Sequence, residues 1–209
     1  MSGGRRSRNG DSVGMEKDNK GFSLVELIIV VAIMAVMLSF TFYSFSLLTG
    51  QDARECANNL MTALGKEKTY ALTKSATADC YMEVMQDTDG YYYVRYYVPE
   101  NAIDLKWALL DKQKIGKGSV DIICTFKEND GSESKIKIQG GQTLIVVFDR
   151  VSGNFKKFLL SDGTEGNAFI ENKMKETTKE CTQIVIDRGR TYELALYSAT
   201  GKYVLTRTK

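Results

Sequence analysis

GFSLVELIIVVAIMAVMLSFTFYSFSLL, residues 21–48, is the stretch that decides the reading of this chain. From Phe22 to Leu48 it is apolar apart from Glu26 and a few hydroxyl side chains. As an α-helix those ~27 residues reach roughly 40 Å, and about 20 apolar residues suffice to cross a bilayer. The segment before it, residues 1–21, carries Arg5, Arg6, Arg8, Lys17 and Lys20 against Asp11, Glu16 and Asp18. Basic residues on the N-terminal side place that end in the cytoplasm and the rest of the chain outside. A secretory signal has its small-residue cleavage site after the apolar stretch. Here the polar leader ends in Lys20-Gly21, directly before it, and SFSLLTGQDA behind it offers only weak sites. A leader cut at that point leaves the apolar helix in the product as a working part.

Glu26 is the odd residue of the run. A carboxylate at membrane depth costs a few kcal/mol unless it is protonated or paired. Cleavage after Gly21 would give Phe22 a free α-amine one helical turn from Glu26, and on a staggered neighbouring copy that amine is a natural partner. Near the end of a span the carboxylate also reaches the interface cheaply. Physics alone leaves both readings open.

The residues from Lys20 to about Met37 resemble the N-terminal signature of type IV pilins and pseudopilins: Gly, an aromatic residue, Ser or Thr, Leu, an apolar residue, Glu, then a long aliphatic helix. The resemblance implies cleavage between Gly21 and Phe22 by a prepilin peptidase and N-methylation of Phe22. It also implies pairing of Glu26 with the amine of an adjacent subunit during assembly. The partners it implies are other pilin or pseudopilin subunits through the N-terminal helix, an inner-membrane assembly platform and membrane lipid. Many members have a proline in the middle of this helix; the only proline here is Pro99, so the helix is expected to be less kinked.

After Gly50 helical periodicity continues with a polar face. Ala53, Ala57, Leu60, Met61, Leu64, Ala71 and Leu72 recur at helical spacing, and Arg54, Glu55, Asn58, Asn59, Lys66 and Glu67 take the other side. A single helix over about 22–74 is expected, with Gly50 a candidate bend. From Asp79 onward the pattern turns to period two. CYMEVMQ and YYYVRYYV flank the turn DTDG, and VDIICTF, SKIKI, TLIVVFD and FKKFLL follow, with CTQIVID, TYELALY and YVLTR at the C-terminus. These amount to about eight antiparallel strands. NAIDLKWALLDK is ambiguous, with Trp107, Leu109 and Leu110 expected inside, and residues 161–180 read as a loop with a short helix near 171–179. The fold class is therefore α+β: a long N-terminal helix, transmembrane in its first half and amphipathic in its second, on antiparallel sheets. The expected parts are a leader at 1–21, a filament-core or membrane helix at 22–48, an amphipathic helix at 49–75 and an extracytoplasmic β domain at 76–209. That layout, with IVVFDRVSGNF, resembles the H-type minor pseudopilins of type II secretion.

Composition narrows the chemistry. The net charge of the 209 residues is +2, and outside the leader 23 basic residues balance 23 acidic ones, giving no electrostatic drive toward nucleic acid. The chain has four cysteines and no histidine, and the spacing of Cys56, Cys80, Cys124 and Cys181 fits no zinc or redox motif. Outside the membrane one or two disulfides are allowed, and spacing does not choose the pairs. Tyr91, Tyr92, Tyr93, Tyr96 and Tyr97 suggest a stacking platform, but alternate residues of a strand face opposite ways. Asp87 and Asp89 sit in turn chemistry without the later ligands of a calcium loop; GKGS at Gly116 lacks the rest of a phosphate loop. Arg188 and Arg190, with Lys156, Lys157 and Lys202, read as a solvated rim. No catalytic constellation, metal site or cofactor is expected. The expected function is a structural subunit, a minor pilin or pseudopilin of a type IV pilus-like or type II secretion filament. The alternatives are a bitopic membrane protein with a ligand-binding outer domain, and a DNA-binding competence pseudopilin.

Overall fold

The computed structural model describes residues 23–74, 78–100, 107–128, 130–161 and 180–208. The expected helix near 171–179 lies outside them. The chain divides into two compact units, Met1–Phe42 and Tyr43–Lys209, and one helix, α1 (Leu24–Lys74), contributes to both. It continues through Gly50. A Cβ at that position would fall 2.4 Å from Cδ of Arg190, so Gly50 serves as a slot for the arginine.

In the second unit, α1 presents a stripe at Ala53, Cys56, Ala57, Leu60, Ala63, Leu64, Glu67 and Ala71, all buried. The spacing of three and four residues is that of one helix face. The carboxylate Glu67 sits on that face, not on the polar side where its charge suggested. Leu72, expected on the apolar face, is half exposed, one position past the end of the stripe.

Ten strands follow among the described residues: β1 (Tyr81–Gln86), β2 (Tyr91–Pro99), β3 (Trp107–Lys117), β4 (Asp121–Lys127), β5 (Glu133–Ile138), β6 (Thr143–Phe148), β7 (Phe155–Ser161), β8 (Glu180–Asp187), β9 (Thr191–Tyr197) and β10 (Lys202–Arg207). They form two five-stranded antiparallel sheets, ordered β3-β2-β1-β6-β7 and β10-β9-β8-β4-β5. The chain crosses from the first sheet to the second between β3 and β4 and returns between β5 and β6. As a result β1 pairs with β6, and β4 with β8, over long sequence distances.

The ambiguous stretch resolves as β3, an edge strand whose pairing with β2 is broken by two irregularities. Trp107 is buried as expected and donates its indole N–H to the Asp79 carbonyl at 3.0 Å. Leu109 and Leu110 are exposed, contrary to expectation, because an edge strand in an irregular register does not keep both of two successive residues inside.

Side chains from both sheets meet the α1 stripe in one core that includes Val84, Val94, Phe148, Ile122, Ile184 and Leu194. Each buried aliphatic residue of this size contributes about 1.5–3 kcal/mol. A smaller cluster of Tyr81, Trp107, Ile145, Val147 and Leu159 is buried on the opposite face of the first sheet, which explains why every residue of β6 is buried.

Candidate functional site

Of the three residues expected to carry processing and assembly, Gly21 and Phe22 lie outside the described residues, and Glu26 lies inside them. Glu26 stands in the first turn of α1. The Ser23 backbone N–H donates to Glu26 Oε2 at 3.0 Å, and the Val25 N–H donates to Ser23 Oγ at 3.3 Å. The Leu27 N–H reaches the Ser23 carbonyl at 3.1 Å, so Ser23 is the N-cap and Glu26 is the third helical residue. This is a variant of the capping box in which the serine takes the second helical N–H, and two N–H groups left without helical partners are satisfied by side chains. The carboxylate also complements the positive end of the helix dipole. Sequence reasoning took Glu26 as an anomaly of an apolar run and passed over the Ser-x-x-Glu spacing that marks a helix start.

The rest of this segment is apolar and uncovered. Leu24 is 73% exposed, Ile28 58% and Phe40 69%, and the Ser39 hydroxyl folds back on the Ala35 carbonyl at 2.9 Å, which hides its polarity from the surroundings. Among the described residues no helix is long and apolar enough to cross a membrane; the apolar side chains described run only from Leu24 to Phe40. What this segment offers chemically is an apolar helix surface with one anionic group, Glu26, fixed at its start by its own cap.

A groove of about 310 Å³ is lined by Asp52, Glu55, Asn59, Tyr91, Lys114 and Lys117, among others. Two of its charges, Asp52 and Lys117, are already matched to each other. Asp52 accepts from Lys117 at 2.8 Å and from Arg188, and these cations, Lys117 first, hold its carboxyl below the usual range. Arg188 is thus not part of a solvated rim; it joins the β8–β9 turn to α1. Lys156 likewise pairs with Asp79 at 2.6 Å.

The tyrosines alternate as a strand requires. Tyr92 and Tyr96 point into the core, and the Tyr92 hydroxyl donates to the Ile138 carbonyl at 2.7 Å. On the other face Lys114 Nζ sits 3.0 Å from the centre of the Tyr91 ring and Lys112 Nζ 4.0 Å from that of Tyr93, while Tyr97 stacks on Tyr81 at 4.7 Å. The ring faces that a base would need are occupied.

Asp87 is held at about 2 by Lys112, the Thr88 N–H and Arg95, and Asp89 accepts from the Tyr91 N–H and the Tyr93 hydroxyl; both are turn chemistry. Asp121 pairs with Lys137 at 2.7 Å, whereas Asp149 caps its own turn through Val151 and Ser152, so the two acids share no site. Among the described residues no group of acidic or cysteine side chains is placed to hold a metal.

No curated protein and no solved structure matches the chain. Residues 17–42 match the prokaryotic N-terminal methylation motif, and the chain therefore carries the signature of the type IV pilins and pseudopilins, a family of structural subunits.

Proposed function

We propose that this chain is a minor pilin or pseudopilin whose leader is removed after Gly21, whose new N-terminal Phe22 is methylated, and whose Glu26 directs its assembly into a filament. The motif implies processing by a prepilin peptidase, assembly with other pilin subunits, and a membrane-anchored or filament location. The finer reading is a single-pass helix over residues 22–48 with its N-terminus in the cytoplasm, received by an inner-membrane assembly platform and surrounded by lipid. The β domain then lies outside, in an arrangement of the H-type minor pseudopilin kind.

The observation that carries this reading is the uncovered apolar helix surface with a carboxylate fixed in its first turn. Apolar area of this extent is stable only against lipid or other copies of such a helix. A carboxylate there calls for a positive partner, and the free amine of a cleaved neighbour supplies one.

The capping box makes the role of Glu26 separable by mutation. Glu26→Gln keeps an oxygen to accept from Ser23 N–H and removes the charge; Glu26→Ala removes both. Both variants are expected to insert into the membrane, and both are expected to fall about tenfold or more in sheared filaments relative to the membrane pool, the ion pair being worth at least 1–2 kcal/mol in a low-dielectric setting. Filament incorporation of Glu26→Gln at the native level would show that Glu26 serves its own helix only.

A further inference from the structure

The four cysteines are buried free thiols, and the fold treats them differently. Cys56 packs beneath Gly116, and Cys80 donates weakly to the Tyr70 carbonyl at 3.7 Å. Cys124 and Cys181 are on β4 and β8, hydrogen-bonded neighbours in the second sheet. In their register Cys124 faces Ile184 and Thr125 faces Gln183, but Phe126 then faces Cys181 because a bulge absorbs Thr182. With strict alternation Thr182 would oppose Phe126 and Cys181 would point out of the core. The bulge turns Cys181 inward, diagonal to Cys124, and both side chains are completely buried in the same core. The two side chains are therefore neighbours on the core face of one sheet.

We infer that Cys124 and Cys181 are joined by a disulfide in the exported protein. This inference rests on the extracytoplasmic placement proposed above, since cytosolic thiols are kept reduced. The reaction requires an oxidant that itself carries a disulfide, of the thiol–disulfide oxidoreductase class. The thiolate of one cysteine attacks a sulfur of the oxidant, breaking its S–S bond and releasing a thiolate that takes up a proton. The second cysteine, deprotonated, attacks the mixed disulfide and releases the other oxidant thiolate. Two protein thiols are oxidised and one oxidant disulfide is reduced to a dithiol.

Hydrogen bonding with Cys181 and burial push the Cys124 thiol well above its ordinary range, and both side chains are completely buried, out of reach of an oxidant. The bond therefore forms while β8 docks on β4, and afterwards it is shielded from reductants. It ties together two strands far apart in sequence, where a cross-link restricts the unfolded chain most.

The test uses the full-length protein taken from the membrane fraction of its own cells, with iodoacetamide present throughout and no reductant, then denatured and digested for mass spectrometry. The expected result is a linked pair of peptides holding Cys124 and Cys181, with label on Cys56 and Cys80. Protease accessibility of the domain is measured in parallel on cells whose outer envelope has been opened and whose cytoplasmic membrane is intact. Four labelled thiols in a domain reached from outside would overturn the disulfide and leave the export reading standing, and so would a link to Cys56 or Cys80.

A domain not reached from outside would instead overturn the export reading. The pairing is then decided on purified full chain refolded in detergent with oxidised and reduced glutathione. There a Cys124–Cys181 link whose reduction lowers Tm by about 10 °C supports the pairing. Mixed pairings, or a Tm unmoved by reduction, overturn it.

Discussion

Glu67→Gln is expected to match the native chain in stability near pH 4 and to exceed it by about 5 kcal/mol at pH 9. Glu67 is 0% exposed, and neither carboxylate oxygen has a hydrogen-bond partner among the described residues. The nearby cation, Lys66, is engaged by Asp111 at 2.5 Å, with its Nζ 4.7 Å from the centre of the Tyr96 ring. Burial without a partner pushes the carboxyl up from 4.5 to about 8, because the charged form loses its hydration and gains nothing in return. The protonated form is therefore the one that folds. Its contribution is fully present below pH 4.5, where the unfolded chain is protonated too. It is lost at about 1.4 kcal/mol per pH unit as pH rises to about 8, and is constant above that. Glutamine has the same shape and no charge, so its stability lacks this slope. Denaturant melts of both proteins between pH 4 and pH 9 measure the difference; parallel curves would show that Glu67 does not titrate with folding.

The second large effect is expected at Gly201, in the turn between β9 and β10. Its φ of +58° lies in the left-handed region, and a Cβ there would meet the Gly153 carbonyl oxygen at 2.1 Å. The turn thus packs against that between β6 and β7, while Lys68 Nζ donates to the Gly201 carbonyl at 3.2 Å. Gly201→Ala is expected to cost about 3 kcal/mol: about 1 for the left-handed backbone and the rest for a clash with main chain that has nowhere to move. Gly131→Ala is the control. Gly131 has φ of +84° and nothing within 4 Å of a new Cβ, so only the backbone term of about 1 kcal/mol applies. Equal losses at the two positions would mean that the two turns are not packed as described.

Much of this protein is legible without its structure, and the gaps have physical causes. The N-terminal motif is local, so the resemblance that points to Gly21, Phe22 and Glu26 lies in one short stretch of sequence. The capping role of Ser23 is equally local, but the charge of Glu26 in an apolar run masks the Ser-x-x-Glu spacing that encodes it. Charge hides the place of Glu67 in the same way: it lies seven residues after Leu60 and four after Ala63, on the buried face, but a carboxylate invites assignment to the polar one. β3 escaped because an irregular edge strand mixes apolar residues and charges without a clean period of two. The pairing of Asp52 with Arg188 and the meeting of Cys124 with Cys181 depend on contacts between elements distant along the chain, which no local pattern encodes.

The account as a whole turns on what becomes of the N-terminus, because every proposed role of Glu26 presumes a new amine one helical turn before it. Mass spectrometry of the N-terminal peptide from the membrane or filament form tests this directly. The account predicts a chain that begins at an N-methylated Phe22; a chain that still carries residues 1–21, or one cut near Thr49, would contradict it.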